Sequence, residues 1–173
     1  MIDTTHLHPM IVHFPIALII VGFLAELLSF FIKKEFFSTA AFYLLILGTL
    51  GVVAAYFTGQ YAGDGITEVG ALKQALETHE EAAELTLWVM VVAAVSRISI
   101  VLLKKYHGAF KSLAFILFLL GVVAIARTGF YGGELVYKHA AGVKINLGLD
   151  LPADNTNSTD TQDSNKSPKD DDD

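Results

Sequence analysis

Four long apolar stretches, a nearly charge-free interior to each, and a composition without cysteine predict an all-α integral membrane protein. The expected architecture is an up-down bundle of four transmembrane helices, both termini outside, followed by a disordered acidic tail. The chain has 173 residues, 53% of them apolar and 17% charged. Ordinary soluble domains run nearer about 45–50% and about 25%. Mean hydropathy is +0.52. Strands of this length would leave open edges in lipid, so helices are the default spanning element.

The spans are expected at about 10–32, 38–60, 82–103 and 112–131, within a transmembrane domain over residues 1–149. The first opens after a segment without Lys or Arg and lacks a small-residue cleavage site, so it reads as a retained span rather than a secretory signal. Pro9 suits the first position of a helix. Pro15 either kinks that helix by freeing the Ile11 carbonyl, or marks its true start. The second span carries no charge from Phe36 to Gly63. Thr78-His79-Glu80-Glu81 reads as a capping box that opens the third. Spans two and four do not resemble one and three beyond hydropathy, and no repeat is read from the chain.

Charge sets the orientation. Lys33, Lys34, Lys104, Lys105 and Lys111 crowd the two short loops, which the positive-inside rule places in the cytoplasm. Five of the six histidines and both termini then face outward, in the inner membrane of the cell, while His107 stays in a cytoplasmic loop. Residues 1–149 hold ten acids and ten bases, so the net charge of −6 belongs to residues 150–173. That tail is too polar to bury a core and is expected to be disordered. With no basic surface, a nucleic-acid partner is excluded for the body of the chain. With no cysteine, thiolate chemistry, disulfides and cysteine-held metals are excluded as well.

The up-down topology carries five of six histidines to one face: His6, His8 and His13 before or in the first span, His79 at the third, His139 after the fourth. Imidazole is the commonest metal ligand and a usual haem ligand. His8 and His13 lie about 140° apart around a helix, so they do not chelate one ion from a regular face. A site therefore has to join histidines of different helices, as cofactor sites in bundles do.

Three spans each carry one charge: Glu26, Arg97 and Arg127. Glu26 and Arg97 each lie six residues before the end of their span, which suggests a structural ion pair at matched depth. Arg127 lies near the outer end of the fourth span. It is suited either to a carboxylate brought by a ligand, such as a haem propionate, or to Glu134, Glu80 or Glu84. Gly132-Gly133, just beyond, permits a sharp turn or a close backbone approach.

The segment His8-Pro9-Met10-Ile11-Val12-His13-Phe14-Pro15-Ile16-Ala17-Leu18 resembles the opening motif of a bacterial membrane family known as domain of unknown function 2231. Thr58-Gly59, His79-Glu80 and the Gly132–His139 segment, Gly-Gly-x-Leu-Val-Tyr-x-His, are similar to that family as well. Ala140 stands where the family often has Gly. The resemblance implies a four-span membrane protein and a redox setting, without an established activity.

Taken together, the residues suggest a haem b site for electron transfer, with cofactor contacts from His8, His13, His79, His139 and Arg127. His13 paired with His79 or with His139 is the first choice of axial ligands. The alternatives are a copper or other divalent-metal site using His13, His79 and His139 with carboxylate support, or a non-catalytic membrane subunit. No nucleophile–base pattern, phosphate loop or metalloprotease motif favours an enzyme. The lipid bilayer is the expected surrounding; a redox protein partner and self-association stay open.

Overall fold

The computed structural model describes residues 7–63 and 70–141. Helix α1 spans Leu7–Phe31, α2 Glu35–Gly63, α3 Ala71–Leu102 and α4 Gly108–His139. All four are long and apolar enough to cross a membrane. The tail and His6 lie outside the described residues.

The helices outrun the expected spans. A helix of 32 residues, as α3 and α4 are, is about 48 Å long, against about 30 Å for a bilayer's hydrocarbon core. Helix α3 starts at Ala71, after Gly70 at φ +57°, and not at Thr78. Thr78 is no cap: its hydroxyl donates back to the Gln74 carbonyl within the helix. Hydropathy locates the apolar core of a helix and is blind to a polar extension beyond it. The Gly132-Gly133 pair does not turn the chain either; α4 runs through it to His139 and ends on Ala140 in the left-handed conformation. Helix α1 likewise continues through Pro15 from Leu7.

Helix α1 packs most closely on α2, and α3 on α4. Gly48 lies against Ile19 and Gly51 against Pro15; Gly121 lies against the Met90 thioether. A side chain at any of these glycines would stand within 3 Å of its neighbour, so glycine is what allows the backbones to approach. The core is Ile19, Leu45, Val52, Met90, Ala93, Phe118 and Ile125. Large apolar side chains such as Leu24, Leu50, Val92 and Val123 point outward, as a lipid-facing surface requires.

Candidate functional site

The two ends of the bundle hold different polar groups. At the lysine end, Arg97 and Glu26 form the expected ion pair, bidentate at 3.2 Å and almost wholly buried. The Arg97 guanidinium also donates to the Ser38 carbonyl. It stacks 3.5 Å over the ring of Tyr106. The aromatic face thus covers a charge whose Nε has no acceptor among the described residues. The Tyr106 hydroxyl donates to Glu26. Burial, with that hydrogen bond adding to it, pushes the Tyr106 phenol up to about 12. Lys111 closes the cluster by donating to the Ser29 carbonyl at 2.9 Å. Sequence reasoning finds the ion pair through its matched depth; Tyr106, Ser38 and Lys111 carry no comparable signal.

At the other end, α1 and α3 bring His8 and His79 together. Their ring centres are 6.4 Å apart and the ring planes are inclined at 77°. Each imidazole is held the same way. The Nδ1–H of His8 donates to the Ala55 carbonyl on α2 at 3.0 Å, with the Thr58 hydroxyl at 3.4 Å. The Nδ1–H of His79 donates to the Thr128 carbonyl on α4 at 3.2 Å. These bonds assign the tautomer: Nε2 is the nitrogen left with a lone pair. Glycine supplies the floor under each ring. A Cβ at Gly59 would stand 3.0 Å from His8 Cε1, and one at Gly132 3.1 Å from His79 Cε1. Beneath His79, Thr128 is fixed further by its hydroxyl, which donates to the Ala82 carbonyl and meets Thr86 at 2.8 Å.

The other expected site residues make different contacts. His13 is exposed, and its Nδ1–H donates to its own helix at the Pro9 carbonyl, 2.6 Å away. Its position five residues after His8 turns it to a different face. His139 is half-buried in the last turn of α4. Arg127 is exposed, adjoins the Thr128 that receives His79, and has its guanidinium 5.5 Å from the centre of the Tyr131 ring. Glu134 is taken by Lys138. Among the described residues no three His, Asp or Glu side chains gather as a metal cluster. A polar cleft of about 250 Å³ opens where α2 ends and α3 begins, lined by Tyr56, Gln60, Glu77, Glu80, Glu81 and Glu84.

A four-helix membrane bundle with two carbonyl-oriented imidazoles at one end is the class of protein these observations define. Residues 4–145 match the family model described as Predicted membrane protein (DUF2231), and the chain belongs to that family. No curated protein and no solved structure matches the chain.

Proposed function

We propose that the chain is a membrane electron-transfer protein in which His8 and His79 hold one metal centre, haem b iron in the leading reading. The carrying observation is the pair itself. Two imidazoles that hold one metal from opposite sides, with metal–nitrogen distances of about 2 Å, have ring centres about 6 Å apart; here the separation is 6.4 Å. Ligating histidines almost always donate their other ring N–H to a carbonyl, carboxylate or water, and both do so here.

Two protein ligands suit a metal that arrives with its remaining ligands already in place, which is what a porphyrin provides. This moves the ligand choice from His13 to His8, with His79 retained. Arg127, one residue from the His79 acceptor, is the group suited to a propionate. Haem would supply one-electron redox chemistry; the chain would hold the iron from two sides and keep it at the membrane boundary. With the lysine loops in the cytoplasm, that boundary is the outer one.

A second reading is a bare copper or zinc ion on the same imidazoles, favoured by the acidic cleft beside Glu80, which concentrates cations at this end. An optical spectrum of the detergent-purified protein, before and after dithionite, separates the two. A Soret band with sharp reduced α and β bands is expected. A featureless spectrum after expression with haem supplied removes the haem reading, and metal analysis then decides the second.

A further inference from the structure

Comparing spans one with two, or three with four, hides a relation that appears when the first hairpin is laid on the second. His8 corresponds to His79, Ile19 to Met90 and Glu26 to Arg97, each 71 residues further on (8 to 79, 19 to 90, 26 to 97). On the partner helices Gly48 corresponds to Gly121, Ala55 to Thr128 and Gly59 to Gly132, each 73 residues further on (48 to 121, 55 to 128, 59 to 132). These are matched contacts as well as matched positions. Ile19 sits on Gly48 as Met90 sits on Gly121; His8 sits on Gly59 as His79 sits on Gly132. His8 donates to the residue 55 carbonyl as His79 donates to the residue 128 carbonyl. The same offsets superpose the buried positions Ala41 and Ala114, Leu45 and Phe118, and Val52 and Ile125. Side-chain identity has drifted, which is why the repeat escapes a reading by residue type.

We infer that the chain is an internal duplication of one helical hairpin, and that the histidine site is a composite on the two-fold axis relating the halves, taking a metal centre that accepts two equivalent imidazoles on opposite sides. Helices α1 and α3 meet across that axis twice, through His8 and His79 at one end and through Glu26 and Arg97 at the other. The axis explains why the second meeting is unlike the first. Two identical charges at equivalent, facing, buried positions would repel, so the halves differ there. Two neutral imidazoles do not repel, and a ligand between them makes their likeness useful. The equivalence also narrows the ligand class: one whose two opposite coordination positions are alike, a metalloporphyrin or a linearly coordinated ion. This rests on the metal-centre reading above, but the duplication has its own test.

The chain has no cysteine, so spin labels can be placed at will. The double variants Met10→Cys/Phe130→Cys and Phe57→Cys/Glu81→Cys join positions that the two-fold exchanges, all four exposed. Pulsed electron–electron distances in the full-length protein are expected to agree within the spread of the labels. A clear difference between them overturns the duplication, whatever the metal result. In parallel, ferric protoporphyrin IX and copper ion are each titrated into the wild type, His8→Ala and His79→Ala. One equivalent bound by the wild type, with at least a tenfold and similar loss in both variants, supports the composite site. Loss in one variant alone, or binding of neither probe, overturns it. Uptake of copper but not porphyrin, lost in both variants, supports the composite site while removing the haem reading.

Discussion

The lysine end and the histidine end of the bundle both join α1 to α3, yet they are finished differently. At the lysine end the charges are buried and opposite, and each carboxylate oxygen has a donor: Arg97 and Tyr106 close around Glu26, while the Ser38 carbonyl accepts from Arg97. At the histidine end each ring has one nitrogen tied to backbone and one left with its lone pair, in side chains only half-buried. A buried ion pair with a donor on each carboxylate oxygen fixes the helices. An oriented, partly satisfied pair is available to something that arrives later.

The sharpest break in that comparison comes from the lysine end. Arg97→Met leaves Glu26 buried beside an apolar side chain and is expected to cost about 3–5 kcal/mol, read as lost thermal stability in detergent. His79→Ala gives up a single neutral hydrogen bond and is expected to cost about 0.5–1.5 kcal/mol while abolishing metal binding. If the two rank the other way in stability, the division into a structural and a ligand end is wrong. Next come Gly59→Ala and Gly132→Ala, which push a methyl group onto an imidazole and are expected to cost about 1–3 kcal/mol each. Their optical or copper-binding signature is expected to shift in both, since both rings move. An unchanged signature would mean that the glycines serve packing alone.

Smaller still is Thr128→Val, which removes the hydroxyl bonds to Ala82 and Thr86, at about 1 kcal/mol. The effect of Tyr106→Phe depends on pH: it removes the donor to Glu26, so its cost is complete at neutral pH and fades on alkalinisation. The folded phenol ionises near 12 against an ordinary 10.0. Its contribution is therefore complete below pH 10 and is lost as pH rises towards 12. Wild-type melting temperature should fall across that window more than that of Tyr106→Phe, and parallel curves would show that Tyr106 is not engaged.

Hydropathy made the four spans legible, and Lys33, Lys34, Lys104 and Lys105 marked the turns between them. The Glu26–Arg97 pair was legible because equal distance from a span's end means equal depth. The histidine pairing was legible only in part. The topology brings His8, His13 and His79 to one end, but which imidazole faces the bundle depends on helical phase, and Pro9 and Pro15 obscured that phase for α1. The start of α3 was misplaced because Ala71–Thr78 is helical without being apolar, and from a start at Thr78 the neighbours of His79 do not follow. Gly59 stood out only within the Thr58-Gly59 resemblance, and Gly132 only as one of a pair able to turn or to approach a neighbour closely; the packed structure shows an imidazole resting on each.

In the proposed site His8 and His79, and not His13, hold the metal centre. The direct measurement is the dithionite-reduced optical spectrum of full-length protein beside His8→Ala, His13→Ala, His79→Ala and His139→Ala, all expressed with haem supplied. The predicted result is a low-spin spectrum in the wild type, His13→Ala and His139→Ala, lost in His8→Ala and His79→Ala. A spectrum that survives His8→Ala and disappears in His13→Ala would contradict it.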